Sequence, residues 1–260
     1  MPVLKQMKAD CLNVQVFDTR DAMGCAAGEC ACATIRELLE KKDYVHVIFA
    51  AAPSQSEMLK TIIAANDIDW SRVYAFHMDE YIGLDSNAPQ GFGNFLARHI
   101  FSILPFAKVF RIDAEAKDAV AECCRYSELL RRYPVDLVCL GIGENGHIAF
   151  NDPGVADFND PALVKVVELD DVCRMQQVHD GCFTSINEVP THALTLTIPA
   201  LAAAAYMVCT VPAASKKDAV WKTVCGPITQ DVPATILRQH PHAELFCDSD
   251  SGASLLYGNL

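Results

Sequence analysis

The sequence predicts an α/β fold: a doubly wound, three-layer sandwich with a mostly parallel central sheet. Three observations carry this expectation. Strand-like and helix-like segments alternate along the chain with no repeat period and no low-complexity linker, which favours βαβ units. Several runs, such as residues 45–52 (VHVIFAAA) and 206–211 (YMVCTV), are almost continuously apolar, as strands covered on both faces are. Residues 136–140 (DLVCL) run into a turn with glycines at 141, 143 and 146, the kind of strand end where open α/β sheets bind ligands. The 260 residues are enough for one large domain, and no boundary divides residues 1–260.

Taken in order, Leu12–Phe17 alternates and reads as a strand. Asp18 and Asp21 make a capping pair for a helix through about Leu39, with Ile35, Leu38 and Leu39 on one face. A charged turn at 41–43 leads to the buried strand of residues 45–52. Residues 53–57 (PSQSE) then carry helix-start chemistry, a proline, two hydroxyls and an acidic first turn, for a helix to about Asn66. Residues 72–77 (RVYAFH) read as a strand, 92–104 as an amphipathic helix, and 114–132 as a longer helix capped near Asp113. Beyond the strand at 135–140 and its turn, residues 154–162 are rich in Asp, Asn and Pro, a composition suited to a lid. Residues 164–169 and 193–198 read as strands of the same sheet, and 199–205 as a short helix. The strand at 206–211 is followed by a helix over 213–224 with Lys216 and Lys217 in its first turn, against the helix dipole. Residues 233–237 open a last helix and 243–248 form a last strand.

A net charge of −12 argues against a nucleic-acid backbone as partner. A phosphorylated substrate would need a local cationic pocket set against that field. Twelve cysteines invite a disulfide reading, yet they form no CxxC pair and no zinc-type spacing with histidine, so free buried thiols are expected. Residues 1–10 carry Lys5 and Lys8 with no apolar core behind them, and no apolar run reaches membrane-spanning length. A cytoplasmic protein without a membrane partner is therefore expected. Whether copies assemble into a homo-oligomer is left open.

The chemistry concentrates at strand ends. Asp79 and Glu80 follow the strand at 72–77, flanked by His77 and Tyr81, and form a candidate acid–base cluster. His147 follows the glycine turn, and Asp152 stands five residues later, where a folded-back loop would let carboxylate and imidazole share a proton. Residues 141–146 match the dinucleotide fingerprint, but they lie deep in the chain and no helix-forming sequence follows, so no nicotinamide cofactor is expected. No Gly-x-Ser-x-Gly elbow occurs, and His77, Asp79 and His147 lack helical His-x-x-x-His spacing, so no metal is expected either. Ser54 and Ser56 at a helix start, with Lys216, offer donors for an anion. What remains is acid–base chemistry on a small molecule.

Residues 77–84 (HMDEYIGL) and 141–153 (GIGENGHIAFNDP), with 189–195 (VPTHALT) and 239–241 (QHP) in matching order, resemble the glucosamine-6-phosphate deaminase (isomerase) family. That family shares a superfamily with 6-phosphogluconolactonase, whose branch carries a different tail after its Gly-His than Ala149–Pro153 here. The resemblance implies that Asp79 moves a proton between C2 and C1 and that His147 opens the sugar ring. It places Asn145 and Asp152 as partners of His147, Lys216 as a phosphate lysine, and Ser54, Gln55, Ser56 and Gly143 around the substrate. An enolamine intermediate needs only placed acids, bases and donors, so no cofactor is implied. The chain departs from the family pattern at four places. Asn145 stands where Asp is frequent, and Asp152 where Glu is common. Residues 53–56 replace a Gly-Gly-Ser/Thr loop, and His179 lies near a phosphate arginine for which Arg174 could stand in. The alternatives are a lactonase-type hydrolase, in which His147 activates water without Asp79, and a sugar-phosphate-binding sensor.

Overall fold

The computed structural model describes residues 3–257. β1 (Val3–Ala9) and β2 (Leu12–Phe17) form an antiparallel hairpin. β1 has no counterpart in the sequence reading, because its exposed, lysine-bearing alternation carries little apolar signal. α1 (Arg20–Lys41) is capped by Thr19, whose hydroxyl accepts the Ala22 N–H; neither Asp18 nor Asp21 is the cap. There follow β3 (Val45–Phe49), a 3₁₀ turn (Pro53–Gln55), α2 (Ser56–Ile63), β4 (Val73–His77) and β5 (Asp79–Tyr81). α3 (Phe92–Leu96) runs on into a π-helical turn, Ala97–Phe101. β6 (Lys108–Phe110) is a short strand the sequence did not announce. α4 (Ala119–Arg132) starts later than expected because Asp118, not Asp113, accepts the Val120 and Ala121 N–H groups. The chain continues through β7 (Leu137–Leu140), β8 (Val164–Glu168), α5 (Asp171–His179), β9 (His192–Leu196), α6 (Ile198–Ala202) and β10 (Tyr206–Val211). It ends with α7 (Lys217–Cys225), a 3₁₀ run at Pro233–Gln239 in place of the expected helix, β11 (Ala243–Cys247) and α8 (Ala253–Tyr257).

Eight strands form the main sheet in the order β1-β2-β11-β10-β7-β3-β4-β6, parallel except for the first hairpin. The chain steps outward through β3, β4 and β6, then returns to the middle and steps the other way through β7, β10 and β11. Strand order thus reverses between β3 and β7, which makes a crevice at their carboxyl ends. Alternate residues of each central strand feed different layers. Val47 and Phe49 pack with α1 and α2, whereas Ile48 packs with α4 and its neighbours, so both faces are buried. The expected single sheet needs one correction. β8 and β9 belong to a separate antiparallel sheet, ordered β5-β9-β8, in which Asp79 stands opposite Thr195. Asp79 is therefore held on a strand rather than in a loop.

α1 and α2 approach closely enough to require glycine. A Cβ at Gly24 would lie 2.2 Å from Glu57 Cβ, and one at Gly28 would lie 2.5 Å from Thr61 Cβ. Gly28→Val should therefore lower the unfolding free energy by ~1–3 kcal/mol, as overpacking does, measured by chemical denaturation. An unchanged midpoint would show that α2 can move away freely. Among the described residues no helix is long and apolar enough to cross a membrane. All twelve cysteines are free thiols, but the expected burial holds for only six of them; four are half-buried, and Cys11 and Cys124 are exposed.

Candidate active site

A cleft opens at the strand-order reversal, lined by the segments that follow β3, β4, β7 and β10. Asp79, Gly143, His147, Ser54, Gln55 and Lys216 all border it. It is built from the ends of separate strands, so residues far apart in sequence meet on one rigid frame.

His147 is set by its own turn. The Gly143 N–H donates to the His147 carbonyl at 2.9 Å, which closes the loop. A Cβ at Gly143 would fall 2.2–2.4 Å from three atoms of the imidazole ring. Only glycine lets the ring lie against that backbone. Nδ1 lies 2.8 Å from Asn145 Oδ1 and 2.9 Å from Asp152 Oδ1. Asn145 Nδ2 in turn donates to Asp152 Oδ1 at 2.8 Å, which turns the amide oxygen towards the ring. Both neighbours of Nδ1 are acceptors, so Nδ1 carries the proton and Nε2 of the neutral ring keeps its lone pair. Asp152 is buried, which acts to raise its pKa. His147 and the hydrogen bonds from His147, Asn145 and Cys173 outweigh that and hold the carboxyl below its usual range. The loop doubles back through Ala149, at φ 51°, and through Asn151, whose amide donates to the Ile148 and Leu196 carbonyls.

His147, Asp152 and Cys173 are the one cluster of metal-type ligands found among the described residues, with their ligand atoms within 4.8 Å of one another. Burial and Asp152 push the Cys173 thiol up, and the thiol serves Asp152 as a hydrogen-bond donor.

Asp79 is 7% exposed, and burial together with neighbouring Glu80 raises its carboxyl well above the usual range. Its backbone is pinned from behind. Ile112 N–H donates to His77 Nε2 at 2.9 Å, so His77 Nδ1–H donates to the Asp79 carbonyl, also at 2.9 Å. The Tyr126 hydroxyl accepts the His77 N–H and donates to the His77 carbonyl. Glu80 points away from the cleft and accepts the Tyr81, Phe92 and Gly93 N–H groups. With both ring nitrogens engaged, His77 is a support and cannot ligate a metal.

Burial, with a smaller push from Arg111, holds the His77 imidazole down to about 3 from an ordinary 6.5. Between those values the unfolded chain binds a proton that the native chain refuses. The stability His77 contributes is therefore present above the unfolded pKa and lost as pH falls. The raised carboxyls of Asp79 and Glu80 act in the opposite direction. His77's share is best read as a difference. The melting-temperature gap between wild type and His77→Asn should narrow from pH 7 to pH 4, and a constant gap would contradict this assignment.

The other end of the cleft is cationic. Lys216 closes a 3₁₀ turn, Ala214–Lys216, entered through Ala213 at φ 82°, a region unfavourable for a residue with a side chain. Asp248 holds that turn by accepting the Ala213 N–H at 3.0 Å. Lys216 is 5% exposed, its Nζ has no hydrogen-bond partner, and burial lowers its pKa against the pull of Asp180 and Glu144. A buried ammonium without a partner is a site prepared for an anion. Ser54 lines the same cleft, and Gln55 Nε2 donates to Ser54 Oγ and the Thr210 carbonyl.

A family model described as glucosamine-6-phosphate isomerases/6-phosphogluconolactonase matches residues 18–247. The chain belongs to that family. A glucosamine-6-phosphate deaminase of Lactobacillus delbrueckii subsp. bulgaricus is 37% identical over 207 residues, covering 80% of this chain and 86% of that protein. One from Listeria monocytogenes serotype 4a is 34% identical over 223 residues, covering 85% and 93%. The solved structure of a monomeric glucosamine-6-phosphate deaminase is similar with a TM-score of 0.85 at 27% identity, covering 95% of this chain and 99% of that one. A 6-phosphogluconolactonase from Thermotoga maritima, at TM-score 0.71 and 21% identity over 91% of this chain and 99% of its own, shares the fold.

The departures of this glucosamine-6-phosphate isomerase/6-phosphogluconolactonase family member can now be placed. Asp152, one methylene shorter than Glu, still reaches His147 because the loop folds back. Arg174 does not stand in for a phosphate arginine. Its guanidinium donates to the Ile186 and Val189 carbonyls and pairs with Asp171, and it does not line the cleft. His179 is also outside, 58% exposed and 3.6 Å from Glu144. Ser56 is the first residue of α2 and does not border the cleft. Residues 154–162 do not border it either; Lys165 Nζ ties this segment down through the Val155 carbonyl and Asp160. The sequence reading missed Arg20, Gln176, Gln177 and Asp180, all of which line the cleft. Only the helical spacing of the last three around α5 hinted at a shared face.

Proposed function

We propose that this protein is an amino-sugar-phosphate deaminase/isomerase, converting glucosamine 6-phosphate to fructose 6-phosphate and ammonia by acid–base catalysis. One observation carries the reading: a buried carboxyl, Asp79, an imidazole with a free Nε2, His147, and an unpartnered ammonium, Lys216, share a single cleft. The names of the 34–37% identical relatives support the same substrate.

Lys216 holds the phosphate and fixes the sugar along the cleft. His147 moves a proton at the ring oxygen through Nε2 and opens the pyranose, with Asn145 and Asp152 steadying the imidazolium that forms. Asp79 takes the C2 proton of the open-chain 2-amino aldehyde and returns it to C1, so that the amino aldose becomes a ketose imine by way of an enolamine. Water adds to that imine, ammonia leaves, and fructose 6-phosphate remains. Each step needs only a placed acid or base. We read residues 1–260 as one catalytic domain acting in amino-sugar breakdown in the cytoplasm.

A hydrolase acting on 6-phosphogluconolactone would leave Asp79 without work. The two reactions separate in one assay, in which purified protein is offered each substrate at millimolar concentration. Ammonia and ketose from the amino sugar support the proposal. Lactone hydrolysis with no ammonia would overturn it.

A further inference from the structure

We propose that Arg20 is the second cation of the anion subsite, gripping the substrate's phosphate together with Lys216 and setting the preference for phosphorylated over neutral amino sugars. This rests on the deaminase reading for the identity of the ligand, though not for the site itself.

The loop after β3 supplies few donors for an anion. Pro53 has no N–H, and the Gln55 N–H is used within the turn, on the Ala52 carbonyl. Gln55 Nε2 is engaged with Ser54 Oγ and the Thr210 carbonyl, and its buried Oε1, which has no partner, would repel an anion. Ser54 keeps its hydroxyl proton as a donor, since its Oγ accepts from Gln55, but a dianion held here still needs side-chain cations to balance its charge. Two of the cleft-lining residues are Lys or Arg, namely Lys216 and Arg20. Asp79 and Asp180 line the same cleft, so one buried ammonium faces a dianion in a field that already contains carboxylates.

Arg20 is positioned for this task by the turn it would complement. It is the first residue of α1, directly after the Thr19 cap, at the carboxyl end of β2. Its Nη2 donates to the Pro53 carbonyl at 2.6 Å, which lays the guanidinium against the anion loop. Its Nε lies 2.9 Å from Glu57 Oε1, close enough for charge pairing, yet the buried Nε–H is out of line for a hydrogen bond. The tether uses one edge of the planar fork and leaves Nη1 free, and the side chain is 40% exposed where it borders the cleft. Gly24 and Gly28, one turn and two turns further along α1, allow α2 to come close enough for Glu57 to fix this geometry. A planar guanidinium can then give parallel hydrogen bonds to two phosphate oxygens, which the single point charge of Lys216 cannot.

The test uses the full-length protein with glucosamine 6-phosphate, glucosamine and inorganic phosphate as probes. Arg20→Ala should raise the KM for glucosamine 6-phosphate by ~10-fold or more, with kcat within about twofold of wild type. Inorganic phosphate should raise the melting temperature of wild type but not of Arg20→Ala, and glucosamine should leave both unchanged. Arg20→Lys keeps the charge without the fork, so its KM should fall between the two; it also decides the matter if the alanine variant does not fold. An unchanged KM and an unchanged phosphate-induced melting shift in either soluble variant would overturn the assignment. A wild type that binds phosphate through Arg20 but releases no ammonia would instead leave Arg20 in place and sink the deaminase reading.

Discussion

Asp79→Asn will lower kcat for deamination of glucosamine 6-phosphate by ~10²–10⁴-fold while the sugar phosphate still binds. The substitution preserves shape and removes the carboxyl that the proposed mechanism uses to carry a proton between C2 and C1. His77 holds the backbone at this position, so the amide will occupy the same site as the carboxylate. The same change should make the protein more stable near neutral pH. Burial and Glu80 raise the native pKa of Asp79, so native Asp79 keeps its proton more tightly than the unfolded chain does. Its contribution to stability is full below the unfolded pKa and is lost as pH rises through the native one. Asparagine never ionises, so the melting-temperature advantage of Asp79→Asn should grow as pH rises from 4 to 8. In wild type, kcat/KM should rise with pH over a limb lying above the ordinary carboxylate range. Full activity of Asp79→Asn, or an advantage that shrinks with rising pH, would show that another group is the base.

Gly143→Ala will be the second most damaging change, although it adds only one methyl group. That methyl would occupy the space of the His147 ring, with Cε1 at 2.2 Å and Nε2 at 2.3 Å. The backbone there is fixed by the Gly143-to-His147 hydrogen bond, so the ring must swing away and give up its contact with Asn145 and Asp152. A displacement of about 1 Å is enough to reduce turnover ~10²-fold. The melting temperature should change far less than the rate, because the strands that frame the cleft are untouched. A loss of stability with turnover intact would mean that His147 has no role in the chemistry.

Much of this architecture was legible in the sequence. Buried parallel strands such as β3, β7 and β10 announce themselves as unbroken apolar runs because both faces are covered. Edge strands do not: β1 is a largely exposed run that carries Lys5 and Lys8, and β6 is only three residues long. The separate sheet of β5, β8 and β9 was hidden for a different reason. Local pattern reports burial, but not which strand will be the neighbour or in which direction it runs. The site followed the same rule. Asp79 and His147 stand just past strand ends, and Lys216 is a cation at a helix start, so all three could be found from their setting. Arg174 had the right chemistry and the wrong direction, since its side chain turns to the Ile186 and Val189 carbonyls. Arg20 sits at an ordinary helix start, and only the fold brings that start beside Pro53.

The most direct test of the account follows both products of one reaction. Wild-type protein given glucosamine 6-phosphate should release ammonia and fructose 6-phosphate in equal amounts, with Asp79→Asn, shown to be folded and to bind the sugar phosphate, as the blank. Folded wild-type protein that yields neither product at millimolar substrate, or ammonia without the ketose, would contradict it.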